Sequence, residues 1–324
     1  MWPWPLSKSI SKHAKALTVV ILIIFSLLWL WQGALYSPYH DDNDRSALRF
    51  PPSCHSNCHE ITRCLLRQCE QRQSTEIWSN LAQVVMNCVT NHSSIRLSNF
   101  TSFLMGRYGE RKRFLVPSKA ESLVVGGRNG TTACDWLTIG VGGDTKVEQE
   151  FHNRFPHCRI FGIDPAADQF ADFDKFGTKI PLAIGLKAGR LKMKLRMPNG
   201  TYGQTMVDIH PLSKVLDQYL GKRVLQFATL DIEGFEYDLL NGLLAPDGAL
   251  QQAGVIFCQL DVELHHPSWK ASTFRFDTFF TTFIAKAPYV PVFAENFLIH
   301  RKIVFLYHDA NATNAGCLPL VGKI

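Results

Sequence analysis

The sequence predicts an α/β fold with a mostly parallel sheet, and three observations lead to that prediction. Residues 137–144 (LTIGVGGD) have the pattern of an apolar strand that runs into a glycine-rich turn. Residues 160–165 (IFGIDP) have the pattern of a second apolar strand that ends in an acid. From about residue 134 onward, strand-like and helix-like segments alternate, as they do when crossover helices join parallel strands.

The individual elements follow from hydrophobic periodicity and from turn signals. The candidate strands are 136–141, 159–163, 179–184, 225–232 and 255–262, with a late pair at 289–297 and 302–307. The candidate helices are 146–154, 211–219 and 236–244, and the cysteine-rich region at about 54–108 also has helical spacing. Over 191–196, Leu or Met alternates with Lys or Arg between two turn signals, which predicts an exposed strand.

The glycine-rich turn and the acid after it predict a nucleoside-binding site. Gly140, Gly142 and Gly143 allow a tight turn and a close approach of a ligand to the backbone. Asp164 lies at the tip of the next strand, where acids of doubly wound folds accept hydrogen bonds from ribose hydroxyls. The alternative is that the glycines serve only the geometry of a strand–turn–helix unit.

The same turn narrows the class of cofactor. The third glycine of the dinucleotide-binding fingerprint is missing, and the chain contains no phosphate-binding Gly-Lys-Ser or Gly-Lys-Thr segment. Adenosine without a pyrophosphate, as in S-adenosylmethionine, therefore fits better than a dinucleotide or a nucleoside triphosphate.

Acids and histidines gather at the ends of two later strands. The segment LDIEGFE places Asp231 and Glu233 at alternating positions of a strand end, so that both side chains point the same way. The run VIFCQLDVEL repeats this alternation and continues into His265 and His266. Adjacent parallel strands end at one edge of the sheet, where α/β proteins bind ligands. The alternative for the histidine pair is a strand-end turn closed by Pro267, since neighbouring residues of a strand face opposite ways.

Together these motifs resemble the FkbM-type methyltransferases, a family of S-adenosylmethionine-dependent enzymes known for O-methylation. The shared segments are the TIGVGGD turn, the FGIDP strand and the LDIEGFE box, of which the Asp-x-Glu-Gly-x-Glu pattern is the most specific. The resemblance covers about residues 134–308 and looks closest to the membrane-anchored animal branch, in which the glycine turn and ELHHP occur together. The family usually has a lysine before the box, where this chain has Thr229-Leu230.

The resemblance implies a class I (Rossmann-like) methyltransferase fold with a mostly parallel, seven-stranded sheet. It implies S-adenosylmethionine as the cofactor, with the loop of the third strand against the adenine. The cofactor-binding candidates are Gly140, Val141, Gly142, Gly143, Asp144, Asp164, Pro165, Ala183 and Ile184.

Methyl transfer to a hydroxyl requires alignment of the acceptor oxygen and a general base. The catalytic candidates are Asp231 and Glu233, which would shape the acceptor side, and His265 or His266, which would act as the base. A divalent metal held by the two carboxylates and a histidine is the less favoured interpretation, and we assign no metal ligand from the sequence.

The N-terminal residues predict a membrane anchor. Three lysines precede an apolar run at 17–36, which is just long enough to cross a bilayer as a helix, and three aspartates follow it. The positive-inside rule then places the N-terminus in the cytoplasm. A cleaved signal peptide is the alternative, but no clear small-x-small site follows the run. The predicted parts are a cytoplasmic tail (1–16), a signal anchor (17–36), a lumenal linker and helical stem (37–120) and an FkbM-like domain (121–324).

Cysteines and glycosylation sequons agree with a lumenal location. All nine cysteines follow the apolar run, and five of them cluster in the stem. Disulfides are favoured over zinc there, because the cysteines and the nearby His55 and His59 match no standard zinc-finger spacing. N-glycosylation sequons occur at Asn91, Asn99, Asn129, Asn199 and Asn311. We therefore predict a single-pass type II membrane glycoprotein of the Golgi or endoplasmic reticulum.

The predicted partners are a hydroxyl-bearing acceptor and the membrane. The compartment favours a glycan as the acceptor and leaves lipid and small-molecule hydroxyls open. The net charge of +6 is spread thinly, and aromatic residues are not interleaved with the basic cluster at 111–113, so we predict no nucleic-acid partner. The sequence does not predict an oligomeric state.

Two other functions share this membrane topology. A Golgi glycosyltransferase would use an Asp-x-Asp metal motif, and Asp172 and Asp174 match that pattern, but the glycine turn has no role in such chemistry. A catalytically inactive relative that acts as a lumenal binding protein would keep the anchor, the stem and the sequons. Cofactor binding and turnover are the measurements that separate these functions.

Overall fold

The computed structural model describes residues 56–104, 110–115, 134–197, 201–245, 247–269, 274–308 and 317. The predicted cytoplasmic tail and signal anchor (1–36) lie outside these residues. Among the helices that are described, none is both long enough and apolar enough to cross a membrane.

Two helices and a short hairpin precede the first strand of the main sheet. The strands are β1 (Phe100–Leu104), β2 (Arg111–Leu115), β3 (Asp135–Ile139), β4 (Arg159–Ile163), β5 (Thr178–Ile180), β6 (Ala183–Gly185), β7 (Gly189–Arg196), β8 (Tyr202–Pro211), β9 (Val224–Leu230), β10 (Ile256–Leu264), β11 (Tyr289–Phe297) and β12 (His300–Tyr307). The α-helices are α1 (Ser56–Glu70), α2 (Ser74–His92), α3 (Lys146–Arg154), α4 (Leu212–Val215), α5 (Glu236–Leu244), α6 (Ala249–Gln252) and α7 (Phe276–Lys286).

The main sheet has seven strands in the order β11-β12-β10-β9-β3-β4-β5. The five strands from β10 to β5 are parallel, whereas β12 runs antiparallel to both β10 and β11. All residues of β3 are buried, as expected for a parallel strand that is covered on both faces. The predicted seven-stranded, mostly parallel sheet is therefore confirmed. The chain leaves β3 for β4 on one side and returns to β9 on the other, so the switch point, where α/β folds bind ligands, lies between β3 and its neighbours.

The predicted strand 179–184 is two strands that belong to different sheets. Proline has no N–H to donate, and at Pro181 the ladder between β4 and β5 ends. The chain resumes as β6, which pairs with β8 in a three-stranded sheet of order β6-β8-β7. The exposed strand expected at 191–196 is confirmed as β7 of that sheet.

The stem is helical as predicted over α1 and α2, and a disulfide between Cys64 and Cys88 joins the two helices. Both helices bury their apolar faces in the same core as the main sheet; Leu65 and Leu81, for example, are fully buried. The guanidinium of Arg301 on β12 lies 4.8 Å from the ring centroid of Trp78, and its Nε donates to the Trp78 carbonyl. The stem helices are thus packed into the fold that carries the sheet.

The end of the predicted helical region is a strand, β1, which pairs with β2 in an antiparallel hairpin. The hairpin covers the other face of the sheet with Phe103 and Phe114, which pack against Trp136 and Phe151. Burial of these aromatic rings favours a strand over a helix in this segment, because a strand presents alternate side chains to one face.

Side chains of β10 form hydrogen bonds with the backbone of β2. The carboxylate of Asp261 accepts from the Arg113 N–H at 2.6 Å. The amide of Gln259 both accepts from the Leu115 N–H at 2.8 Å and donates to the Leu115 carbonyl at 2.6 Å. Because buried backbone groups need partners, these contacts fix the hairpin on the sheet and bring Glu110 and Lys112 to the carboxyl end of β10.

Candidate functional site

A cleft of about 350 Å³ opens at the carboxyl ends of the central strands. Its walls come from the turn after β3, the residues after β4 and β9, the end of β10, the β11–β12 turn and residues of β7 and β8. Of the predicted cofactor residues, those that line the cleft are Gly140, Val141, Gly142, Asp144, Asp164 and Pro165. The predicted edge of the sheet and the observed cleft therefore coincide.

The glycine turn has backbone conformations that other residues rarely adopt. Gly140, Gly142 and Gly143 have φ angles of +89°, +66° and +80°. A Cβ on Gly140 would lie 1.8 Å from the carbonyl oxygen of Asp231, whereas a Cβ on Gly142 would meet nothing within 4 Å. Gly140 is thus required by close packing, and Gly142 leaves open space beside the cleft.

Asp164 closes the turn from the neighbouring strand. Its Oδ2 accepts from the N–H groups of Val141 at 3.0 Å and Gly142 at 3.2 Å, and its Oδ1 accepts from the Ala166 N–H at 2.9 Å. Burial raises the pKa of this carboxyl, although these hydrogen bonds oppose the shift. Three of the roughly four acceptor positions of a carboxylate are occupied, which leaves about one for a ligand hydroxyl.

The other cofactor candidates lie away from the cleft wall. Gly143 packs against the side chain of Gln169 and donates its N–H to the Gln169 carbonyl. Ala183 and Ile184 are in β6, which the break at Pro181 directs into the three-stranded sheet, and neither is among the described residues that line the cleft.

Asp231 and Glu233 both line the cleft, just beyond the end of β9. Glu233 has a φ of +57°, an unfavourable conformation for a residue with a side chain, and the phenol of Tyr202 donates to its Oε1 at 2.6 Å. Burial opposes ionisation of Glu233, but the hydrogen bonds from His265 and Tyr202 outweigh it and lower its pKa. Burial and the charge of Glu110 raise the pKa of Asp231 to about 6.

His265 is buried in the cleft wall and is surrounded by carboxylates. Its Nδ1 lies 2.9 Å from Oε1 of the fully buried Glu236, and its Nε2 lies 3.5 Å from Glu233, 3.9 Å from Glu263 and 4.0 Å from Asp231. Burial disfavours the imidazolium, but the acids outweigh it and raise the pKa of His265 to about 11. A protonated imidazole does not accept a further proton, so this charge state disagrees with the predicted role of His265 as base.

His266 faces away from the cleft. Its ring packs edge-on against Trp78 at 5.4 Å, and its Nδ1 lies 2.8 Å from the hydroxyl of Ser268. The two histidines thus point in opposite directions, as expected for neighbouring residues at the end of a strand.

Several polar residues of this site were not predicted as site residues, among them Glu110, Glu263, His300 and Lys302. Lys302 is buried and its Nζ lies 2.6 Å from Glu110 and 3.6 Å from Oε2 of Glu263. Burial and the charge of Asp231 raise the pKa of Glu263 to about 8, while burial and the charge of His265 lower the pKa of His300 to about 4. Period-two spacing with Asp261 is a sequence signal for Glu263, but Lys302 and Glu110 reach the site only through strand pairing.

The Asp-x-Asp pattern lies outside the cleft wall. Asp172 accepts from Thr145 at 2.8 Å and pairs with Lys175 at 3.0 Å, and Asp174 pairs with Lys179 at 3.0 Å. Both carboxylates therefore take part in surface contacts rather than facing the site.

No known protein family matches the chain by sequence, and neither does any curated protein. The solved structures with some similarity to it include a 16S rRNA (adenine(1408)-N(1))-methyltransferase from Catenulisporales acidiphilia, with 12% identity, a TM-score of 0.31, and 64% of this chain and 98% of that chain covered. The antibiotic-resistance methyltransferase Kmr has 12% identity and a TM-score of 0.28, with 64% and 98% covered. The plantazolicin methyltransferase BpumL, in complex with SAH, has 8% identity and a TM-score of 0.27, with 77% and 96% covered. TM-scores this low do not establish a shared fold.

Proposed function

We propose that the chain is an S-adenosylmethionine-dependent methyltransferase that methylates a hydroxyl group in the lumen of the secretory pathway. One observation carries the proposal: a glycine turn, an acid on the next strand and a group of carboxylates converge on one cleft at the switch point of a mostly parallel sheet. The motifs that resemble FkbM-type methyltransferases contain the glycine turn and the acid on the next strand. They also contain Asp231 and Glu233, which belong to the group of carboxylates.

The residues on the glycine side fit an adenosine-containing cofactor. The open space beside Gly142 lets a ligand approach the backbone, and the remaining acceptor position of Asp164 suits a ribose hydroxyl. The absence of a phosphate-binding motif from the sequence favours a nucleoside without a pyrophosphate. When bound, S-adenosylmethionine supplies a methyl group on a positively charged sulfur.

The residues on the other side of the cleft fit the acceptor. The backbone of Asp231 abuts Gly140, and its side chain is open to the cleft, so this is the carboxylate best placed to take the proton of a hydroxyl next to the cofactor turn. Glu233 is held by Tyr202 and orients the acceptor. His265 contacts the carboxylate of Glu233 through Nε2, and Glu236 holds the imidazole of His265 through Nδ1.

The lumenal location is supported by disulfides and sequons. The chain has disulfides at Cys64–Cys88, Cys134–Cys158 and Cys258–Cys317, which are typical of oxidising compartments. A lumenal enzyme meets glycan hydroxyls, and we therefore propose a glycan as the acceptor. The surface ion pairs of Asp172 and Asp174 remove the support for a glycosyltransferase.

The proposal is tested by methyl transfer from labelled S-adenosylmethionine to a panel of neutral glycans. The full-length chain is compared with Asp231→Asn and with Asp277→Asn, which changes a partly exposed acid that is paired with Arg275 outside the cleft wall. Loss of a general base costs about 10²–10⁴-fold in rate, so Asp231→Asn is expected to lose transfer while Asp277→Asn keeps it. A folded chain that binds S-adenosylhomocysteine but methylates no acceptor would favour the inactive binding protein.

A further inference from the structure

The turn between β11 and β12 has side chains that folding alone does not favour. Phe297 pairs with His300, so the turn consists of Leu298 and Ile299. Leu298 has a φ of +51°, at a position where two-residue hairpins favour glycine, asparagine or aspartate. Leu298 and Ile299 are 67% and 57% exposed, so packing within the fold does not hold either side chain in place. A strained backbone conformation and an exposed apolar side chain at the edge of a cleft are both explained by a contact with a ligand.

The β7–β8 hairpin contributes a second set of apolar side chains to the same cleft. Met193 and Leu195 are two residues apart on β7, so they lie on one face of the strand, and both line the cleft. Phe297 and Leu298 line it from the β11–β12 turn. Met193 and Leu195 are only partly buried, and Leu191, which is 41% exposed, continues their face of β7 beyond the cleft. The cleft therefore has an apolar part, built from two elements that belong to different sheets.

Tyr202 connects this apolar part with the carboxylates. Its phenol donates to Oε1 of Glu233 at 2.6 Å, and the residue is 45% exposed. The aromatic ring is thus fixed at one end by β8 and at the other end by Glu233. A ring held in this way packs against the C–H groups of a sugar or an alkyl chain with little further loss of rotamer freedom.

The charges of the cleft favour a ligand without an anionic group. Acids such as Asp164, Asp231 and Glu233 line it, and within the described part of the chain no lysine or arginine does. The imidazole of His265 is already close to Glu233 and Glu236. A phosphate, sulfate or carboxylate would therefore meet like charges here, whereas hydroxyl groups can donate to the carboxylates.

We infer that the cleft binds an amphiphile with an uncharged, hydroxyl-bearing head group and an apolar chain. The head group lies over Asp231 and Glu233 and packs on Tyr202, and the chain lies against Leu195 and Leu298. A sugar linked to an alkyl chain, as in a glycolipid, has both parts. The identification of this amphiphile as the methyl acceptor rests on the proposed function and narrows the proposed glycan to one carried on a lipid, whereas its binding does not depend on methyl transfer.

The test uses hexyl β-glucoside with a photoreactive diazirine at the end of its alkyl chain, and the full-length chain purified without alkyl glycoside detergents. After irradiation, mass spectrometry of peptides is expected to locate the label in the segments that contain Leu195 and Leu298. Unlabelled hexyl β-glucoside is expected to prevent labelling at concentrations about tenfold or more below those required of methyl β-glucoside, which lacks the chain, or hexyl β-glucuronide, which carries a carboxylate.

Two variants of the turn test the contact with the chain. Leu298→Asn removes the apolar side chain and suits a positive φ, so the fold is kept. It is expected to weaken protection by hexyl β-glucoside about tenfold and to leave protection by methyl β-glucoside unchanged. The matched control is Leu97→Asn, which changes a leucine that is 56% exposed and lies outside the cleft wall, and it is expected to behave as the wild type.

Two variants of Tyr202 test the contact with the sugar. Tyr202→Ala removes the ring and is expected to weaken protection by both glucosides, by about tenfold for the hexyl compound. Tyr202→Phe keeps the ring and loses only the hydrogen bond to Glu233, so a smaller loss is expected. Equal losses in the two variants would overturn the packing of the sugar on the ring.

Circular dichroism shows whether each variant is folded, and binding of S-adenosylhomocysteine keeps the two proposals separate. A wild-type chain that binds S-adenosylhomocysteine, but whose label lies outside the cleft or is displaced equally by all three compounds, would overturn the amphiphile site and leave the methyltransferase proposal intact. Protection that is unchanged in a folded Leu298→Asn variant would also overturn it. Selective protection by hexyl β-glucoside without any binding of S-adenosylhomocysteine would support the amphiphile site and count against the cofactor.

Discussion

At the scale of single residues, the glycines of the turn have different roles. Gly140 is needed for packing, because its Cβ would collide with the backbone of Asp231, whereas Gly142 has open space around it. Both have a positive φ, which costs a residue with a side chain about 1–2 kcal/mol. The two glycines can therefore be separated by their effects on folding and on binding.

We predict that Gly140→Ala strongly destabilises the fold and that Gly142→Ala lowers the free energy of unfolding by only about 1–2 kcal/mol. Gly142→Ala is nevertheless expected to lose cofactor affinity, since its methyl group enters the space beside the cleft. Gly221→Ala is the control, with a φ of +71° and nothing within 4 Å, far from the glycine turn in sequence and outside the cleft wall. Chemical denaturation and titration with S-adenosylhomocysteine measure the two effects. Equal loss of affinity in Gly142→Ala and Gly221→Ala would contradict this assignment.

The predicted site residues that line the cleft are mainly those with local sequence signals. Gly140, Asp164 and Asp231 follow directly from apolar strands, and all three line the cleft. Lys302 and Glu110 could not be identified in this way, because they reach the site through pairing of β12 with β10 and of β2 with the side chains of β10. Such non-local pairing leaves no pattern within a short segment.

At the scale of elements, the same distinction holds. Helices α3 and α5 and strands β4 and β11 have the predicted bounds, because turn residues and apolar periodicity mark both of their ends. The strand predicted at 179–184 was wrong because the proline in it ends the ladder. The packing of α2 on the sheet was not predictable, since its apolar face does not specify what covers it.

We predict that Leu81→Ala in α2 destabilises the whole fold by about 2–5 kcal/mol, because Leu81 is fully buried in the core shared with the sheet. Gln83→Ala, an exposed position of the same helix, is expected to stay within about 0.5 kcal/mol of the wild type. Denaturation followed by circular dichroism and by tryptophan fluorescence should give one coincident transition. An early separate transition of the stem in Leu81→Ala would contradict the shared core.

The disulfide between α1 and α2 is expected to stabilise the fold. Cys64 and Cys88 are 24 residues apart, and closing a loop of that length stabilises a fold by about 3 kcal/mol in the chain-entropy account. The Cys64→Ser/Cys88→Ser variant is therefore expected to lose about 3 kcal/mol in denaturant titration. A stability equal to that of the wild type would show that the stem does not need this bond.

At the scale of the whole molecule, the proposed lumenal location has a direct consequence. Asn91 is exposed at the end of α2, in one of the five sequons of the chain. We predict that the full-length chain expressed in animal cells carries N-linked glycans, and that Asn91→Gln reduces its mass by one glycan on gel electrophoresis. Migration unchanged by an endoglycosidase would contradict a lumenal location.

The proposed methyltransferase activity of the whole molecule depends on the cofactor. The most direct measurement is isothermal titration of the full-length chain with S-adenosylhomocysteine, with Asp164→Ala and the control variant Asp277→Asn, outside the cleft wall, in parallel. We predict micromolar binding by the wild type and by Asp277→Asn. We predict that binding is lost in Asp164→Ala, because this acid both closes the glycine turn and faces the cleft. A folded, disulfide-intact wild-type chain that does not bind S-adenosylhomocysteine would contradict the central claim.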